Sequence, residues 1–95
     1  MTPVIWTERA LDDIESIAAH IAERDLAAAL RLADLVVDGV EERLPHDPML
    51  GRPGRVPGTR ELILHRNYLV AYEVMERGIY VLAVRHAARE WPEAL

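Results

Sequence analysis

The chain has no cysteine and no lysine, and no apolar run comes close to the length of a membrane span. Without cysteine there is neither a disulfide framework nor a thiolate zinc site, so stability has to come from packing, supplemented by any partner chain. Apolar runs such as residues 62–64 and 79–84 fall far short of the roughly 20 residues needed to cross a bilayer. The first residues do not read as a basic-then-apolar signal segment. The expectation is a soluble, cytoplasmic protein. At 95 residues, about half of them apolar, the chain suits a single domain over residues 1–95, since domains of this size bury roughly two thirds of their unfolded surface. No internal repeat or low-complexity segment interrupts it.

All eleven basic residues are arginine. Codon bias of the source is the simpler reason, although arginine also suits bidentate contacts to carboxylate or phosphate. The charge is unevenly divided. Residues 1–45 hold four arginines against ten acids, whereas residues 46–95 hold seven arginines against six. Between Arg52 and Arg66 the one acid is Glu61, against Arg52, Arg55, Arg60 and Arg66, so a basic patch persists on a chain of net charge −5. That net charge argues against a protein that mainly tracks a nucleic-acid backbone.

Val4, Ile5 and Trp6 give a short first strand that ends at Thr7, a suitable helix N-cap. Glu8 follows in the first turn, and Leu11, Ile14, Ile17 or Ala18, and Ile21 recur at helical spacing, predicting a helix over residues 8–24. Asp25 caps a second helix, in which Leu26, Leu30, Ala33, Val37, Val40 and Leu44 form a seam for packing against another helix. The short break between the two helices predicts an antiparallel hairpin. Pro45 and Pro48 stop the second helix, and residues 45–58, with four prolines and three glycines, read as a loop.

Residues 59–66, 68–76 and 79–86 alternate apolar with polar or small residues and carry β-branched and aromatic side chains, predicting three antiparallel strands. The turns fall at Arg66-Asn67 and Arg77-Gly78. The fold class is therefore α+β, in the order β-α-α-β-β-β, with the helical hairpin packed on one face of a mainly antiparallel sheet. Alternation assigns Tyr68, Val70, Tyr72 and Val74 to the core face, and Leu69, Ala71, Glu73 and Met75 to an open, working face. Leu11, Ile14, Val37 and Val40 join Tyr68, Tyr72 and Val74 as scaffold.

The runs Pro57-Gly58-Thr59-Arg60-Glu61-Leu62, Tyr68-Leu69-Val70-Ala71-Tyr72-Glu73-Val74 and Ile79-Tyr80-Val81-Leu82-Ala83-Val84-Arg85-His86-Ala87-Ala88-Arg89-Glu90-Trp91 resemble the C-terminal half of the RelE/ParE toxin superfamily. With the preceding hairpin the resemblance covers nearly the whole chain. It implies the toxin of a bacterial type II toxin–antitoxin pair, neutralised by a small antitoxin. RelE-like members cut messenger RNA on the ribosome, whereas ParE-like members poison DNA gyrase.

Metal-free RNA cleavage needs a base, an acid for the leaving oxygen, and cations where phosphate charge develops. Ribonuclease members commonly carry an arginine just after the tyrosine that opens the middle strand, where this chain has Leu69. They place lysine or arginine in the turn after the last strand, where it has Ala87 and Ala88, and often a tyrosine near the end, where it has Trp91. An indole does not exchange protons usefully. His86 is the one residue of this region suited to acid or base chemistry near neutral pH, and a His-Ala-Ala-Arg turn is also common among ParE-like sequences. Trp91 followed by Pro92 matches a ParE-like ending.

The resemblance thus points to a ParE-like inhibitor of DNA gyrase, silenced by a ParD-type antitoxin that lays an amphipathic helix along the helical hairpin and passes an extended segment across or beside the sheet. Arg60, Arg66, Arg85, His86, Arg89 and Trp91 are the candidate contacts to partner or target. The competing reading is a RelE-like ribosome-dependent endoribonuclease using His86 with Arg60, Arg85 or Arg89, and a third is a degenerate member kept as a binding module. His20, His46 and His65 have no i,i+4 partner or HExxH setting, so neither a metal nor any other cofactor is implied.

Overall fold

The computed structural model describes residues 1–65 and 68–86, with the backbone alone at His65. Strand β1 (Val4–Trp6) leads through Thr7 into helix α1 (Glu8–Ala22), followed by α2 (Leu26–Arg43), a two-residue strand β2 (Arg52–Pro53), and strands β3 (Arg60–His65), β4 (Tyr68–Met75) and β5 (Gly78–His86). The five strands form one mixed sheet in the order β1-β5-β4-β3-β2. Only the β1–β5 pair is parallel. The expected α+β class and element order are thus present, with β2 as an addition. Its Pro53 lies on the sheet edge, where a residue without an N–H does no harm to the ladder.

Thr7 does two things at once. Its hydroxyl oxygen accepts the Ala10 N–H at 3.2 Å, capping α1, and its proton goes to the Val81 carbonyl at 2.6 Å. The start of the first helix is therefore tied to the last strand. Asp25 caps α2 by accepting from the Ala28 N–H at 3.0 Å. This cap also explains why α1 stops at Ala22 rather than at residue 24: the Arg24 and Asp25 N–H groups turn back onto the Ile21 carbonyl, which frees Asp25 to begin the next helix.

The core lies between the hairpin and one face of the sheet. Ala10 and Ile14 of α1, Leu32, Val36 and Val40 of α2, and Leu44 beyond it meet Leu62, Val70, Tyr72, Ile79, Val81 and Val84. Several scaffold residues are displaced from their predicted places. Leu11 is half exposed and Ala10 takes its place in the core. On α2 the buried stripe is Ala29, Leu32, Val36 and Val40, so Leu26 and Leu30 of the predicted seam point to solvent, and Ala33 and Val37 are only partly buried. A seam chosen for one partner helix misses that α2 must face both α1 and the sheet, which rotates the buried stripe. Val74 is exposed at the end of β4, beside the Glu76-Arg77 turn.

Strict alternation also fails in β5. Val81 and Val84, three residues apart, both belong to the core cluster because the pairing with β4 shifts between Ala71 and Tyr72, leaving Leu82 as the extra residue of a β-bulge. The face assigned as open is not open at its centre, since Leu69, Ala71 and Ala83 are fully buried too. Ala71 is paired with Glu61, the one buried charged residue among those described. Glu61 Oε1 takes the Arg52 guanidinium at 3.1 Å, and Oε2 takes the Arg55 backbone N–H at 2.9 Å with the Arg55 side chain at 3.7 Å.

Two stability effects follow. Thr7→Ala removes a cap and a tie to β5 together and is expected to lower the unfolding free energy by about 1–2 kcal/mol, read from urea denaturation. Glu61→Gln keeps the shape but replaces a charged acceptor by an amide. The expected loss is about 1–3 kcal/mol in the same measurement, and an unchanged midpoint would show that the half-exposed arginines are equally content in water.

Candidate protein-binding surfaces

Arg60 stands at the start of β3, opposite Tyr72. Its Nε donates to the Gly51 carbonyl at 2.8 Å and its Nη2 to the Met49 carbonyl at 3.1 Å. Here an arginine fork serves as a brace for the loop that precedes β2. The other half of the brace is Tyr72, fully buried, whose hydroxyl accepts the Gly51 N–H and donates to the Pro48 carbonyl, both at 2.8 Å. A buried hydroxyl left without such partners would cost on the order of 1–3 kcal/mol. Gly51 is required at this point, because a Cβ there would lie 2.7 Å from both the Glu61 carbonyl and the Tyr72 hydroxyl.

Arg85 lies at the other end of the sheet. Its Nη1 is 3.0 Å from Asp13 Oδ2, and the pair is largely shielded from solvent. The same carboxylate oxygen accepts the Val84 N–H at 3.0 Å. The reason is topological. The pairing of β1 along β5 ends at Val81, so Asp13 on α1 supplies the acceptor that a longer first strand would have provided.

His86 pairs with Tyr68, and the two rings meet edge to face with centroids 5.5 Å apart. Both line a crevice of about 250 Å³ with Asp13, Ser16 and His20 of α1. His86 therefore sits on the helix side of the sheet. Tyr68 and Tyr72, the partners of His86 and Arg60, are four residues apart along β4, roughly 13 Å of extended chain. The two candidates do not meet. Arg66, Arg89 and Trp91 lie outside the described residues. Among the described residues no three metal-type side chains converge, and no helix is long and apolar enough to cross a membrane.

A larger surface lies on the helical hairpin, where the sequence places an antitoxin helix without naming its contacts. An open groove of about 910 Å³ runs along α2, with an apolar lining from Ile21, Leu32, Leu35, Gly39 and Tyr68 and a charged rim in which Asp34, Asp38 and Glu42 stand with Arg31 and Arg43. Gly39 is its local signature. A Cβ there would lie 2.7 Å from Leu64 Cδ2, so the glycine lets α2 settle onto β3. The spacing of Asp34, Asp38 and Glu42 in steps of four places the three acids along one line of the helix.

Known proteins resemble this chain along most of its length. The family described as the ParE toxin of the type II toxin–antitoxin system parDE matches residues 4–91. Y4kP of Sinorhizobium fredii, described as a toxin, is 38% identical over 91 residues, covering 95% of this chain and 93% of the relative. Toxin RelE2 of Caulobacter vibrioides is 34% identical over 89 residues, covering 94% and 99%. Among solved structures, a chain of a chromosomal ParDE toxin–antitoxin system from P. aeruginosa superposes with a TM-score of 0.82 at 28% identity, covering 90% of this chain and 96% of that one. The family match and the fold agree: the chain belongs to the ParE toxin family of type II toxin–antitoxin systems.

Proposed function

We propose that this toxin acts in the cytoplasm by gripping DNA gyrase through protein contacts, and that a ParD-type antitoxin silences it. The observation that carries this reading, among the described residues, is that the candidate arginines are already engaged: Arg60 stands apart from His86, and Arg85, which shares a crevice with His86, is held by Asp13. His86 faces α1, Arg60 is committed to two loop carbonyls, and Arg85 is committed to Asp13. Cleavage of RNA would require such groups within hydrogen-bond reach of one phosphate. Leu69, where ribonuclease members carry a cation, is fully buried.

The groove along α2 suits the antitoxin. Its apolar lining and charged rim match an amphipathic helix with charged residues of both signs beside its apolar stripe, in the helix-in-groove manner. The arginines at the sheet ends, with Trp91, remain candidates for the extended segment that follows such a helix and for the target.

Purified toxin freed of antitoxin is expected to block gyrase supercoiling or to accumulate cleaved DNA complexes. Cut messenger RNA in translating ribosomes, with gyrase unaffected, would instead establish the nuclease. His86→Ala is expected to leave growth arrest intact, measured by colony formation after induction. Leu35→Glu, a change at a half-exposed groove position, is expected to weaken antitoxin binding by about tenfold or more in calorimetric titration, with little change in the melting temperature.

A further inference from the structure

The loop between α2 and β3 combines three features that the antitoxin groove leaves unexplained. Met49 and Leu50 stand 58% and 45% exposed on it, and Ile63 of β3 is 50% exposed. Leu50 and Ile63 line one shallow depression together with Arg43, Arg52 and the buried Glu61. The backbone beneath them is pinned. The Gly51 N–H and Pro48 carbonyl are held by Tyr72, the Met49 and Gly51 carbonyls by Arg60, and the Leu50 N–H by the Asp47 carbonyl at 3.0 Å.

A segment that satisfies its backbone internally while holding large apolar side chains in water is preordered for contact. Binding there forfeits little conformational freedom, and large exposed apolar side chains held together, as Leu50 and Ile63 are in the depression, mark interaction sites. The surrounding charge selects the partner. From Arg43 to Glu61 the chain carries Arg43, Arg52, Arg55 and Arg60 against Asp47 and Glu61, on a protein whose net charge is −5. Of the residues lining this depression and the α2 groove, only Arg43 is common to both.

We propose that Met49, Leu50 and Ile63 form the surface with which the toxin grips its target protein, and that the target offers an apolar pocket bordered by carboxylates. This deepens the reading that the chain acts by protein contact, and it does not require the target to be gyrase. The arginine border steers an acidic partner into register, and the flexible methionine adapts to the pocket it enters.

The test compares the parent toxin with a Met49→Asp, Leu50→Asp double variant and with the single variants Leu50→Lys and Leu50→Asp. Three readouts are taken: antitoxin affinity, growth arrest on induction, and inhibition of gyrase supercoiling. The double variant is expected to bind antitoxin within about twofold of the parent, which shows it folded, while growth arrest disappears. Leu50→Lys is expected to retain more arrest than Leu50→Asp, because a cation suits a carboxylate border. If the parent arrests growth without touching gyrase and the double variant does not arrest it, the gyrase reading fails and this surface stands. Undiminished arrest by the double variant, or antitoxin affinity falling in step with arrest, would overturn the assignment. Equal losses from Leu50→Lys and Leu50→Asp would overturn the acidic border.

Discussion

The Tyr72 side chain is the point on which the rest of the molecule turns. Its ring fills the core between the hairpin and the sheet, so it belongs to the apolar packing that holds the domain's two layers together. Its hydroxyl cannot stay there unpaired, and it is paired by drawing in the loop after α2, through the Pro48 carbonyl and the Gly51 N–H. One residue therefore links the stability of the core to the shape of a surface loop. Gly51 leaves the space that this approach needs, and Arg60 closes the loop from the other side.

The arginines show how far tertiary structure redistributes charge. Read linearly, Arg52, Arg55 and Arg60 form a basic patch. In the fold, Arg52 and Arg55 converge on the buried carboxylate of Glu61, Arg60 holds backbone carbonyls, and Arg85 is paired with Asp13. Guanidinium groups fixed in this way shape a surface electrostatically. The larger unclaimed areas are apolar: the groove along α2 and the pinned loop with Ile63. A protein arranged in this way is suited to other proteins.

Membership of the ParE toxin family sets the biological frame, and a shared fold alone does not choose between targets. The choice rests on local geometry. The strand-end histidine and the strand-start arginine that would have to cooperate on RNA occupy different ends of the sheet, with His86 in a crevice against α1. Separate placement of the α2 groove and the loop surface would also let one partner silence the toxin by occupying the groove without resembling the target.

Helix starts at Thr7 and Asp25, the hairpin, and the three long strands were legible because caps, periodicity and turn residues act over a few positions. Core membership of Val70 and Tyr72 was legible for the same reason. What linear patterning did not reach depends on residues far apart in the chain. The rotation of α2 that exposes Leu26 and Leu30 arises because the helix packs against two layers at once. The bulge at Leu82 and the edge strand at Arg52–Pro53 arise from pairing partners. So the sequence by itself determined the order and kind of the longer elements, through short-range hydrogen bonding and hydrophobic period, and its motifs carried the resemblance to the family. Only the tertiary structure decided which arginines are committed to carboxylates and carbonyls and which apolar residues are left facing water, because those outcomes are set by contacts between segments as distant as Asp13 and Arg85.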